Sequence, residues 1–276
     1  MFSESMLAGK RVLITGGGTG LGKTVGRRAV ELGAELTIVG RRAEVLNETA
    51  AEFDALGQKR TTAIACDIRE GEAVAQMMDQ AWQAGPQDVV INNAAGTMLA
   101  RSETLSSRAV DAVLRVSLHG ATYVSLEAGR RWIADRRPGL LMYTLAAGFE
   151  DGRPFMLPLT LAKGGLLTLL RTLAVEWGPR QIRTVGVAPG NFPTPGAAAK
   201  LQTGRTADPA PMIPLGRVGR HSELADLYAF LMSDLATYIS GEAITIDGAK
   251  GLRTNGVDDL MQWTPEQWDA LRPKKG

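Results

Sequence analysis

The sequence predicts an α/β architecture, a doubly wound parallel sheet of seven strands, on three observations. Short runs rich in β-branched residues alternate with longer segments of helical period, the pattern that buries a sheet between two helical layers. No Pro/Ser-rich linker, charge block or internal repeat divides the 276 residues, so a single domain over 1–276 is expected. The first apolar run also leads straight into a glycine-rich turn that opens a helix. Strands are expected at Lys10–Thr15, Glu35–Val39, Arg60–Ala65, Asp88–Ile91, Gly139–Thr144, Ile182–Val187 and Glu242–Ile246. Helices are expected between them at Leu21–Leu32, Ala43–Leu56, Glu72–Ala84, Leu105–Ala134, Phe155–Trp177 and Ser222–Met232. Two stretches fall outside the alternation. Residues 190–219, rich in Pro and Gly, follow the sixth strand, where open α/β sheets bind ligands, and are expected to cover the substrate; residues 250–276 form a C-terminal extension.

Composition narrows the function. Apolar residues make up 45% and charged ones 22%, enough for a packed core and unlike a disordered, collagen-like or coiled-coil chain. Thirty-one basic against 29 acidic residues leave a net charge of +2, too little for a polyanion-binding surface, so no nucleic-acid partner is expected. Cys66 is the only cysteine, and His119 and His221 are the only histidines; neither a disulfide nor a metal site is expected. No apolar run approaches a membrane span, and the opening MFSESMLAGKR lacks the hydrophobic stretch of a secretion signal. A soluble, cytoplasmic protein without a membrane partner is the expectation.

The turn after the first strand reads Thr15-Gly-Gly-Gly-Thr-Gly-Leu-Gly22. Glycines at Gly16, Gly20 and Gly22 let the backbone turn tightly, and with Thr19 and Leu21 they set a pyrophosphate against free N–H groups at the positive helix end. About twenty residues on, the second strand ends in Gly40-Arg41-Arg42, where an NAD-selective site places an acid for the ribose hydroxyls. A carboxylate would repel a 2′-phosphate, whereas Arg41 and Arg42 can give it charge-assisted hydrogen bonds, so NADP(H) is the expected cofactor. Asp67, followed by Ile68 after the third strand, can accept from an adenine amine. Asn93, Ala94 and Ala95 after the fourth strand set small residues against the cofactor. Cys66 reads as a small buried hydrophobe.

With these motifs the chain resembles the short-chain dehydrogenase/reductase family over residues 9 to 250. Further matches are Ala162-Lys163 at a helix start, Val187-Ala-Pro-Gly190 with Thr194 after it, Pro214-Leu-Gly-Arg217 and Ile246-Asp-Gly248. The resemblance implies a Rossmann fold, NAD(P) chemistry and a homotetramer, with Pro189, Gly190 and Thr194 lining the nicotinamide side. The family's chemistry rests on Asn, Ser, Tyr and Lys, and here only Lys163 remains. Leu159 stands at the Tyr position, Ala146 at the Ser position and Ser117 at the Asn position. A reduced ketone is an alkoxide that needs a proton at once, and the family's Tyr delivers it; Leu159 has none to give. Lys163 can still bridge ribose hydroxyls and lend charge to a developing oxyanion, so Lys163 and Ser117 are the candidate catalytic residues.

Within the family the likeness is to the branch of 2,4-dienoyl-CoA reductases, which also lacks that tyrosine. It is carried by Asn92-Asn-Ala-Ala-Gly96, Leu173-Ala-Val-Glu-Trp-Gly178, Ile182-Arg183 and the extension with Thr264-Pro-Glu-Gln-Trp-Asp269 and Lys274-Lys275. The branch implies a conjugated acyl-CoA thioester as substrate: hydride adds to carbon and charge moves to the thioester oxygen as an enolate. The tyrosine that some branch members carry after the fifth strand corresponds here to Phe149 or Gly148. Ordered water, Ser117, Tyr143, Glu150 and Asp151 are left as proton donors. Residues two apart on the long helix after Leu105 point about 200° from each other, so Ser117 and His119 cannot both face the cofactor; the resemblance puts Ser117 inward, and His119 then falls on the packing side or at a subunit contact. Tyr143 reads as core; Met142, Met156 and Met212 as a soft apolar pocket or core filler. Arg153, Lys200, Arg205 and Arg253 read either as CoA-phosphate contacts or as scattered surface charge, and Trp263 and Trp268 as docking the extension before a tail at Arg272–Gly276. The leading expectation is an NADPH-dependent reductase of an enoyl- or 2,4-dienoyl-CoA thioester. A carbonyl or imine reductase with a relocated proton donor, and a catalytically silent NADP-binding subunit, are the alternatives.

Overall fold

The structure, a computed structural model, describes residues 3–56, 60–194, 208–253, 260 and 263–270. Seven strands, β1 (Arg11–Thr15), β2 (Glu35–Gly40), β3 (Thr62–Ala65), β4 (Val89–Asn92), β5 (Gly139–Thr144), β6 (Ile182–Pro189) and β7 (Ala243–Ile246), form one parallel sheet in the order β3-β2-β1-β4-β5-β6-β7. Every pairing is parallel, from Thr37 opposite Thr62 at one edge to Ile246 opposite Pro189 at the other.

Both faces are buried, so the strands read as continuous apolar runs rather than alternating ones. Val12, Ile14, Ile38, Val89, Ile91, Leu140 and Met142 point into one core, closed by α1 (Gly20–Glu31) and α2 (Ala43–Asp54). Their neighbours Leu13, Val39, Val90, Leu141 and Tyr143 point into the other, closed by α3 (Gly71–Gln83), α5 (Ala121–Ala134) and α6 (Leu157–Trp177). The helix α7 (His221–Met232) adds Leu224, Tyr228 and Ala229 to the first core. Strand order reverses between β1 and β4, and the carboxyl ends of these strands open the crevice where ligands bind in such sheets.

The structure corrects the expected helix over Leu105–Ala134. A 3-10 turn at Ser102–Thr104 is followed by α4 (Ser107–Leu114), capped by Ser106 Oγ accepting from Ala109 N at 3.2 Å. A π turn at Arg115–Gly120 then leads into α5. Such a turn carries more residues than an α turn, and here it seats Ser117 and Gly120 inward. Gly120 packs so closely on Ile68 that a Cβ would lie 2.7 Å from Ile68 Cγ1. The helix expected from Phe155 begins at Leu157 instead, because Phe155 sits at a φ of +65°, and Pro158 occupies the first turn.

Much of the expected substrate cover, 195–207 with Lys200 and Arg205, lies outside the described residues, as does the tail Arg272–Gly276 with Lys274 and Lys275. In the extension, α8 (Pro265–Ala270) brings the Trp268 ring to 5.3 Å from that of Trp263. Among the described residues no helix is long and apolar enough to cross a membrane.

Candidate active site

The glycine turn is shaped by close approaches. Gly16 and Gly20 adopt φ of +68° and +56°, a region that costs an L side chain strain. At Gly22 a Cβ would lie 2.4 Å from Gly16 O and 2.5 Å from Asn93 Nδ2, so the start of α1 is pressed against the end of β1. Asn93 holds that contact: its Nδ2 donates to Thr15 O at 3.1 Å and Gly16 O at 3.3 Å, while its Oδ1 accepts from Thr144 Oγ1 at 3.3 Å. Its role here is to lock the turn to β4 and β5. Ala94 backs the turn, its Cα 3.0 Å from where a Gly16 Cβ would be, and Ala95 is exposed.

Thr19 precedes α1 without a side-chain cap, and the helix has no acid in its first turn. Its positive end is therefore open to an anion. Lys23 turns away to Glu52, 2.5 Å distant. Leu21 is half-buried against the first core, and Thr194 lies over the turn, 3.8 Å from the position of a Gly20 Cβ. Arg41 and Arg42 are both exposed beyond β2, with no ion-pair partner among the described residues. Asp67 is engaged by Arg69, whose Nε lies 2.9 Å from each carboxylate oxygen. That pairing, helped by Arg41, holds the Asp67 carboxyl below its ordinary range. Ile68 is buried, its side chain and its carbonyl oxygen packed against Gly120. Burial pushes the Cys66 thiol up to about 11, in keeping with an inert packing residue.

On the other side of the crevice, Lys163 is 4% exposed and donates its Nζ to Thr144 O at the end of β5. Burial pushes its ammonium down to about 8. Ser117 is fully buried, accepting from Gly96 N at 2.9 Å and donating to Gly96 O at 3.3 Å. Leu159 and Ala146 are half-buried. Tyr143, a candidate donor in the sequence, lies wholly inside the second core with its OH 2.8 Å from Ser125 Oγ, and burial raises its pKa. Phe149 is buried in the same core, while Glu150 and Asp151 are exposed. His119 is exposed, its ring 6.4 Å from that of Tyr123. Pro189 and Gly190 close the site from β6: Ala147 N donates to Pro189 O at 3.0 Å and Gly190 N to Ile246 O at 2.9 Å.

A family profile described as "Enoyl-(Acyl carrier protein) reductase" matches residues 16–249, most of the chain. The chain is 38% identical to a "Probable 2,4-dienoyl-CoA reductase" of Bacillus subtilis over 88% of its own length and 97% of the relative's. It is a short-chain dehydrogenase/reductase. Its fold superposes on a short chain dehydrogenase from Bacillus anthracis with a TM-score of 0.80 at 33% identity, covering 89% of this chain and 98% of that one. A 3-ketoacyl-(acyl-carrier-protein) reductase from Brucella melitensis, determined with NADH, matches with a TM-score of 0.80 at 26% identity, over 89% and 99%.

As a short-chain dehydrogenase/reductase the protein is an oxidoreductase of a family that binds a nicotinamide dinucleotide. The glycine cradle fits that group, since Gly22 leaves no room for a Cβ and Gly16 and Gly20 adopt positive φ, which lets the backbone approach a pyrophosphate. Of the catalytic positions that the resemblance marks in the sequence, only Lys163 keeps its residue type. Thr144 is a centre the sequence reading missed: it accepts from Lys163, donates toward Asn93, and its Oγ1 lies 2.7 Å from Tyr228 OH. Tyr228 is 84 residues distant in sequence and carries no signal there beyond its helical period.

Proposed function

We propose that the protein is an NADPH-dependent reductase of an α,β-unsaturated acyl thioester, of the enoyl- or 2,4-dienoyl-CoA kind. The observation that carries this reading is the retained, buried Lys163, hydrogen-bonded to Thr144 O and one helical turn from Leu159, in a chain that also has Ala146 where the family resemblance expects Ser. A positive charge is kept where an oxyanion develops, while no side chain at the family's donor position can protonate an alkoxide. A conjugated thioester tolerates that arrangement, because its product is an enolate whose carbon takes a proton from solvent. The relative in Bacillus subtilis, named a probable 2,4-dienoyl-CoA reductase, supports the same substrate class.

The bound dinucleotide supplies the hydride. Gly16, Thr19, Gly20, Leu21 and Gly22 receive its pyrophosphate at the open end of α1, and Arg41 and Arg42 bind the 2′-phosphate. Asp67 and Ile68 face the adenine, Ile68 through its backbone. Asn93, Ala94 and Ala95 wall the crevice, and Pro189, Gly190 and Thr194 border the nicotinamide. Lys163 holds the ribose hydroxyls and the enolate oxygen, and Ser117 fixes Gly96 beside the reacting carbon. The chain acts as one domain, with 190–219 as substrate cover, 250–276 as an extension and four copies assembled.

Loss of NADPH absorbance with enoyl- and 2,4-dienoyl-CoA tests the reading. Turnover is expected with NADPH and not with free ketones. Turnover of a ketone, with silence on every thioester, overturns it. Replacing Arg41 and Arg42 together by Ser is expected to raise KM for NADPH about tenfold, ~1.4 kcal/mol, and leave KM for NADH unchanged.

A further inference from the structure

Beyond the ends of β5, β6 and β7 lies a cavity of about 170 Å³. Its wall, Ala147 and Gly148, follows directly on Ala146, and Gly190 at its floor follows Pro189, so it adjoins the substrate side of the crevice. It falls below the roughly 300–1,000 Å³ of a site that encloses a whole ligand, which makes it a receptor for one group of a larger molecule. Gly148, at a φ of +71°, and Gly190, where a Cβ would lie 2.4 Å from Asp247 Cβ, let three loops meet with little side chain between them.

Two cations line this small space. Arg153 is half-buried beside Gly148, and its guanidinium makes no hydrogen bond to any described residue. Lys250 reaches in from the turn after β7, its Nζ held by Asn191 Oδ1 at 2.8 Å. Two carboxylates share the lining, but neither is paired with them. Asp247 is occupied with its own turn, Oδ1 accepting from Ala249 N at 2.9 Å and Oδ2 from Gly251 N at 2.7 Å. Asp151 is exposed and makes no ion pair among the described residues. Burial lowers the pKa of Arg153; it also lowers that of Lys250, where the Arg153 charge adds to it, and in both cases Asp247 pulls the other way. Half-buried charges without a dedicated counter-charge cost free energy that an arriving anion recovers.

We propose that Arg153 and Lys250 form the receptor for an oxyanion of the substrate, a phosphate-type or carboxylate group carried by the molecule whose double bond is reduced. The inference deepens the thioester reading and rests on it for the substrate's identity. The guanidinium offers a planar fork to such a group and the ammonium a point charge, while Asn191 fixes the lysine's aim. The two sources of the oxyanion are the phosphates of the CoA carrier and a carboxylate at the far end of the acyl chain.

One enoyl group presented on three carriers separates them: as the CoA ester, as the pantetheine ester, which lacks phosphates, and as the pantetheine ester with a terminal carboxylate on the acyl chain. Arg153→Gln and Lys250→Gln are expected to raise KM about tenfold on an anion-bearing thioester with kcat unchanged, and to leave the neutral pantetheine ester unaffected. Arg153→Lys and Lys250→Arg keep most of the wild-type KM. An effect on the CoA ester alone identifies the phosphates, and one on the carboxylated ester alone identifies the acyl end. Equal effects on all three thioesters, or none, overturn the proposal. Should no thioester be turned over, calorimetry on the NADP⁺-saturated protein decides. Heat with pyrophosphate or a dicarboxylate that disappears in the Gln variants upholds the receptor, and absent or unchanged heat with both anions overturns it.

Discussion

At the β1–β4 crevice the backbone determines what can bind; at the ends of β5, β6 and β7 the side chains do. In the first region the requirement is geometric: Gly22 stands 2.4 Å, by its missing Cβ, from Gly16 O, and Asn93 ties the turn down from β4. In the second the geometry tolerates exchange. Leu159, Ala146 and Ser117 stand where the family resemblance expects Tyr, Ser and Asn, while Lys163 is buried and Ala147 N bonds Pro189 O. A fold whose cofactor half is fixed by close backbone contact can change its reaction by altering only the side chains of the other half.

The largest expected effect breaks the geometric half. Gly22→Val drives two methyl groups into Gly16 O and Asn93 Nδ2, one of them a backbone atom that cannot swing aside. Misfit of this kind costs roughly 1–3 kcal/mol, so affinity for both nicotinamide nucleotides is expected to fall about a hundredfold in calorimetry. Wild-type affinity in this variant would mean that the dinucleotide does not rest on this turn.

A smaller effect sharpens the chemical half. Leu159 is half-buried one helical turn from Lys163, so Leu159→Tyr returns a phenol to the face that carries the lysine. NADPH-dependent reduction of a free ketone is expected to become measurable, about tenfold above the wild-type background and below the roughly 10²–10⁴ of a fully positioned acid, because Ala146 still offers the carbonyl no hydroxyl. Thioester reduction is expected to stay level. If ketone activity does not rise in a variant that melts like wild type, the change in chemistry extends beyond this one position.

The same division explains what was legible in the amino-acid chain. Glycines and short apolar runs report backbone constraints locally, so the seven strands, the crevice and the glycine turn could be read one segment at a time. The π turn at Arg115–Gly120 could not, since it depends on Gly120 meeting Ile68, fifty-two residues earlier. Thr144 with Tyr228, and Arg153 with Lys250, are likewise meetings of distant residues whose types are ordinary in sequence. Tyr143 drew attention as a phenol near the fifth strand's end, yet strand alternation placed it in core, where it bonds Ser125.

The last expected effect is a pH signature that only the chemical half possesses. Lys163 titrates at about 8 in the folded protein against an ordinary 10.5, because burial disfavours its charged form. Below about 8 both folded and unfolded chains carry the proton, and the folded one bears the cost of burying it. Between about 8 and 10.5 the unfolded chain still holds a proton that the folded chain has released, so this residue's contribution to stability rises with pH across the window and levels off above it. Urea unfolding of wild type and Lys163→Met at about pH 7 and about pH 10 reads this directly: the wild type gains on the variant as pH rises. The Gly22→Val loss, which involves no titrating group, stays the same at both values. A wild type that instead loses ground to Lys163→Met at high pH would mean that Lys163 is held charged by a partner rather than stripped by burial, and its part in stabilising an enolate would have to be derived from that partner.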